Sequence, residues 1–112
     1  MSDLSIIIPD YRSKHLEKVI EAALLLDAKK IIISNFKTTL TQTIQDNYKN
    51  NEKIKFLNWE KQKNPGDYRN LGANEAYTEN LFFLDSDVVI NNKTINFINS
   101  KIKNGLEENF IY

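Results

Sequence analysis

Two carboxylates one residue apart, Asp85-Ser86-Asp87, follow directly on the apolar run Leu81-Phe82-Phe83-Leu84. Side chains alternate along a strand, so residues two apart point to the same side. Both carboxylates are therefore expected to converge on one spot at a strand end. Such a pair is costly without a cation, and hard oxygen donors suit Mg or Mn, which complete their shells with phosphate oxygens and water. A metal-bound diphosphate is the partner this chemistry would take. An isolated Asp-x-Asp can equally end a strand and open a turn, so its neighbours decide its meaning. Just upstream stands Arg69-Asn70-x-Gly72-Ala73-Asn74-x-Ala76. The forked, permanently charged Arg69 side chain suits a diphosphate or the carboxylates themselves, and a helix-surface ion pair is its plainer use.

The elements that must position these groups alternate. Leu4-Ser5-Ile6-Ile7-Ile8, closed by Pro9, is a β-branched run suited to a strand buried on both faces. Leu16, Val19, Ile20 and Ala23 then recur at helical spacing between Lys14 and Leu26, with Ser13 available as a cap. Ile31-Ile32-Ile33 repeats the strand signal, and Leu40, Ile44 and Tyr48 fall on one helical face behind Thr38-Thr39. Ile54 to Leu57 is a third strand, and Pro65-Gly66 marks a turn before helix resumes near Asp67. The small residues Gly72, Ala73 and Ala76 let that helix approach a sheet closely. Leu81 to Leu84 is the fourth strand, with Val88 to Ile90 as a possible extension, and Ile95, Ile98 and Ile102 mark a last helix stopped by Asn104-Gly105. This order predicts an α/β fold with a mostly parallel sheet of four to five strands and helices on both faces. Ligands of such sheets sit beyond the carboxyl ends of the strands.

The 112 residues make one domain, 1–112, with 15 basic against 15 acidic side chains. That balance lacks the footprint of a nucleic-acid binder. No cysteine is present, which removes disulfides and thiolate metal sites and leaves a reducing cytoplasm as the expected setting. No apolar run approaches the ~20 residues that cross a bilayer, and the start lacks the basic flank of a signal peptide.

Taken together, the Arg69-Asn70-x-Gly72 helix entry, the apolar strand, Asp85-Ser86-Asp87 and the opening Ser5-Ile6-Ile7-Ile8-Pro9-x-Tyr11 resemble the nucleotide-sugar-binding half of family 2 glycosyltransferases, over nearly the whole chain. The resemblance implies a Rossmann-like GT-A half-domain. Pro9 and Tyr11 would wall the nucleobase and ribose, Arg69 and Asn70 would lie near the diphosphate, Asp85 would hold the ribose or the metal's water shell, and Asp87 would bind Mn or Mg directly. One departure stands out. The family ends its second strand with an acidic residue that reads the base, and this chain has Ser34-Asn35-Phe36-Lys37 there. Asn35 is the expected substitute, and Asp10 offers a nearby carboxylate.

The implied reaction is metal-dependent, inverting transfer from a nucleoside-diphosphate sugar to the hydroxyl of an unidentified acceptor. The general base is expected beyond Tyr112, because Asn109-Phe110-Ile111-Tyr112 reads as the start of another strand and Glu107 and Glu108 stand too near the end. This chain would supply the donor-binding half. A non-catalytic nucleotide-binding or protein-interaction module of the same fold is the alternative. His15 reads as a surface or capping residue, Trp59 as packing, and Lys61-Gln62-Lys63 as a solvated loop.

Overall fold

A computed structural model describes residues 3–61 and 64–104. The strands are β1 (Leu4–Asp10), β2 (Lys30–Phe36), β3 (Ile54–Trp59) and β4 (Asn80–Phe83). The helices are α1 (Leu16–Ala23), α2 (Thr39–Asn47), α3 (Pro65–Asn74) and α4 (Asn92–Lys103). All strand pairs are parallel and the order is β3-β2-β1-β4. The expected α/β, Rossmann-like architecture is therefore present, with four strands among the described residues. The segment Asn109 to Tyr112, where a further strand is expected, lies outside the described residues, as do Gly105, Glu107, Glu108, Gln62 and Lys63.

Alternation along β1 and β2 divides the core between the two faces. Ile6, Ile8, Ile31 and Ile33 meet Leu16, Val19, Ile20, Ile44, Ile95 and Ile98, which places α1, α2 and α4 on one face. Ile7 and Ile32 point the other way, against Ala76. There α3 crosses β1 and β2 on its way back from the β3 edge to β4. Strand order thus reverses between β1 and β4, the position at which doubly wound sheets open a ligand crevice.

Several local expectations change. The Pro65-Gly66 pair opens α3 instead of forming a turn before it, because the first helical position needs no N–H partner and tolerates proline. In α2 the Thr38 hydroxyl accepts the Thr41 N–H at 3.1 Å, and the Thr41 hydroxyl accepts the Thr38 N–H at 2.8 Å. That reciprocal cap fixes the rotation of the helix so that Thr41 and Ile44 face the sheet while Leu40 is 52 % exposed. Val88 to Ile90 forms no strand, and α1 is shorter than Lys14 to Leu26. Ser13 does not cap it directly, since His15 takes the cap position without a side-chain bond.

Gly72 is where α3 meets the sheet. A Cβ there would lie 2.5 Å from Ile7 Cγ2, whereas one at Gly66 meets nothing within 4 Å. Gly72→Ala is expected to destabilise the fold by about 1–3 kcal/mol through overpacking, outweighing the ~1 kcal/mol that alanine gains in helix propensity. Gly66→Ala should be neutral or mildly stabilising. Denaturant unfolding of the two variants checks the contrast, and equal stability of both would refute the close-approach argument.

Candidate active site at the β1–β4 crevice

The loops that leave β1 and β4 at their carboxyl ends meet over the strand-order reversal. The ladder continues one residue past β4, with the Leu84 N–H bonded to the Ile7 carbonyl at 2.9 Å, and the chain then turns, the Val88 N–H reaching the Asp85 carbonyl at 3.1 Å. Asp85, Ser86 and Asp87 therefore lie in a turn. Strand alternation does not aim the two carboxylates, and each is held by a different neighbour. Arg69, from α3, places Nη2 3.4 Å from Asp85 Oδ1, with side-chain exposures of 48 % and 62 %. An ion pair this open to water is weak, so its effect is orientation more than stability. Asp87 is held from the other side, where the Ser13 hydroxyl lies 2.7 Å from its Oδ1 and 2.7 Å from the Ser86 carbonyl.

Beneath this tie is Asp10, 1 % exposed at the end of β1. Its Oδ1 accepts the Ser13 N–H at 3.2 Å, and its Oδ2 meets no hydrogen-bond partner among the described residues. Burial pushes its pKa up. The Ser86 side chain and the Ser13 amide counter that rise in part, and the nearby Asp87 charge adds to it. A desolvated carboxyl beside a second carboxylate in a crevice is the kind of perturbed group that concentrates at functional sites. Its burial also removes it as a substitute reader of a base edge.

Of the other expected residues, Tyr11 is 42 % exposed at the rim, with its ring centroid 5.2 Å from that of Phe36. Pro9 is half-buried and pairs with Ser34. Asn70 is exposed on α3. Asn35 is fully buried, pairs with Asp10 across the sheet, and leaves Oδ1 without a partner among the described residues. In this conformation it offers no surface to a base. Trp59 is half-buried and donates Nε1–H to Ser34 Oγ at 3.1 Å, and His15 is exposed. Ser13 and Ser86 contact the acidic turn and Asp10, and Arg12 lies against Tyr11 and Phe36; spacing did not single out any of the three. The one available signal was the pairing of small hydroxyl residues with the loops after the first and fourth strands.

The described residues contain no cluster of three or more histidine, aspartate or glutamate side chains placed to hold a metal. Two exposed carboxylates on a turn still fit Mg or Mn, which keep several waters and need one or two carboxylates plus substrate phosphates. No helix among the described residues is long and apolar enough to cross a membrane.

A parallel sheet with helices on both faces, whose strand order reverses between β1 and β4, defines a Rossmann-like α/β class of protein. The sequence pattern of Glycosyl transferase family 2 matches residues 5–106, and the chain belongs to that family. No curated protein matches it in sequence. The crystal structure of S. aureus TarS 1-349 is similar at 26 % identity and a TM-score of 0.74, over 93 % of this chain and 33 % of that one. A second crystal structure of S. aureus TarS gives 25 % identity and a TM-score of 0.73, over 93 % and 20 %. The chain thus spans a third or less of the length of these relatives.

Asp10 yields a pH-dependent expectation. A carboxyl whose folded pKa is raised above its ordinary value of 3.8 contributes stability below that value and loses it as pH rises through the folded pKa. Asp10→Asn should therefore raise the thermal midpoint at pH 7 relative to the parent, with the gain shrinking toward pH 4. A variant less stable than the parent at pH 7 and closer to it at pH 4 would reverse the sign of this argument.

Proposed function

We propose that this chain binds a nucleoside-diphosphate sugar together with Mg or Mn across the β1–β4 crevice, as the donor-binding part of an inverting glycosyltransferase. The observation that carries the reading is that Asp85 and Asp87 share the turn after β4 at the strand-order reversal, Asp85 paired with Arg69 of α3 and Asp87 held by Ser13 of the β1 loop. In this reading Asp87 holds the metal, Asp85 orients ribose or metal-bound water, and Arg69 and Asn70 lie beside the diphosphate. Pro9 and Tyr11 flank the nucleoside. The metal would neutralise charge on the departing nucleoside diphosphate. The Ser13 hydroxyl fixes one Asp87 oxygen and leaves the other free for a ligand. Deprotonation of the acceptor hydroxyl falls to a general base outside these residues.

The burial of Asn35, which removes the expected base-reading side chain from the surface, favours a second reading as a non-catalytic module. Metal-dependent nucleotide binding separates the two, since an interaction module has no need of it.

Nucleoside diphosphates at about a hundred times Kd stabilise a native state by roughly 2.7 kcal/mol, which corresponds to several degrees in Tm for a domain of this size. With Mn present, such a shift is expected for the parent and is expected to be abolished in Asp87→Ala. No shift with any nucleoside diphosphate, or an unchanged shift in Asp87→Ala, excludes the binding reading.

A further inference from the structure

The rim above β1 and β2 holds an arrangement that the acidic crevice does not use. Arg12 has a left-handed backbone, with φ 58°, a conformation that costs a non-glycine residue energy and persists where its surroundings hold it. Its guanidinium carbon lies 5.1 Å from the centroid of the Phe36 ring and 5.5 Å from that of Tyr11. The flat cation is thus held against two aromatic rings, an attraction of the ring quadrupoles for positive charge. Arg12 is exposed and makes no ion pair with another described residue, so its N–H donors are left for a ligand.

Among the described residues no exposed acidic group is seen against Arg12. Asp10 is 1 % exposed and Asn35 is fully buried. Glu60, past the end of β3, lines a separate cavity with Lys37 and Thr38, which follow β2. A ligand whose diphosphate lies over Asp85 and Asp87, beyond β4, carries its nucleoside along the strand ends. Two strand spacings amount to roughly 10 Å, about the reach of a nucleoside, and that distance from β4 ends above β2, at Tyr11, Arg12 and Phe36.

We infer that Arg12, braced by Tyr11 and Phe36, selects the nucleobase of the donor and favours a base with two neighbouring acceptor atoms. A guanidinium has five donors and no acceptor, and it pairs bidentately with the O6 and N7 of guanine. The N3 and O2 of cytosine offer the same chemistry. Uracil sets an N–H between its two carbonyls, and adenine sets an amino group beside N7, so each presents a donor to a donor. The inference rests on the nucleotide-binding reading above and names the nucleotide class for that same site.

Isothermal titration of GDP, CDP, UDP and ADP with Mg into the parent, Arg12→Ala and Arg12→Lys tests it. GDP or CDP should bind the parent at least about tenfold more tightly than UDP and ADP, the discrimination a bidentate pair provides, and the ranking of the first two identifies the base. Arg12→Ala should bring the four nucleotides close together while keeping Mg-dependent binding. Arg12→Lys should lose most of the preference, because an ammonium cannot form the fork. UDP or ADP binding as tightly as the better of the other two overturns the inference, and so does a preference that survives Arg12→Ala. Mg-dependent binding of all four without preference removes this inference alone. No binding of any of them, with Asp87→Ala indistinguishable from the parent, removes the nucleotide site and the inference with it.

Discussion

The reversal of strand order between β1 and β4 imposes the constraint on which the candidate site depends. The two strands are neighbours in the sheet, yet the loops leaving them belong to segments more than seventy residues apart, and Ser13 and Asp87 meet across a separation of 74 positions. No covalent connection holds these loops together. They are tied in part by a buried hydroxyl, that of Ser13, which lies 2.7 Å from both the Asp87 carboxylate and the Ser86 carbonyl. A serine has a single proton to give, so it is shared between two acceptors. Below it, Asp10 keeps a buried carboxylate oxygen without a partner among the described residues. Leaving such a group unpaired costs stability, which is consistent with a crevice shaped for a ligand more than for a compact core.

The opposite face of the sheet supplies the second half of the geometry. Because Gly72 has no side chain, α3 settles directly against Ile7. This contact sets how far the preceding turn of the helix stands from the sheet. Arg69 is on that turn, three residues earlier, and its reach to Asp85 is 3.4 Å. A bulkier contact at Gly72 would lift α3 and lengthen an ion pair that already has little strength in water. The packing of a single helix position thus bears on the orientation of a carboxylate at the ligand edge, and links core packing to the chemistry of the site.

Much of this was legible in the sequence, because the features concerned follow from local periodicity. The isoleucine runs at 6–8 and 31–33, the stripe of Leu16, Val19, Ile20 and Ala23, and the triad of Ile95, Ile98 and Ile102 are all buried where the pattern puts them. The misreadings share a different cause. Leu40 was expected inside and is exposed because a side-chain cap between Thr38 and Thr41 sets the rotation of α2. Asp85 and Asp87 were expected to be aligned by strand pleating, but the strand ends two residues earlier, at Phe83, and contacts to Ser13 and Arg69 place them instead. Hydrogen bonds between residues far apart in sequence carry no periodic signal.

The base end of the crevice shows the same limit from another direction. The lack of an acidic residue after the second isoleucine run is plain in the sequence, and it pointed to Asn35 as the substitute. The substitute fails because β2 continues in register with β1 as far as Asn35 and with β3 as far as Phe36, which draws Ser34 and Asn35 into the sheet. Ser34 then accepts the Trp59 indole N–H at 3.1 Å, and Asn35 lies opposite the buried Asp10. Phe36 becomes the first β2 residue at the rim, close enough to Tyr11 for ring contact, and the cation of Arg12 rests on both rings. Extending a strand by three residues thus changes the character of the rim, from a place where a carboxylate would accept a proton donor to one where a guanidinium seeks acceptors.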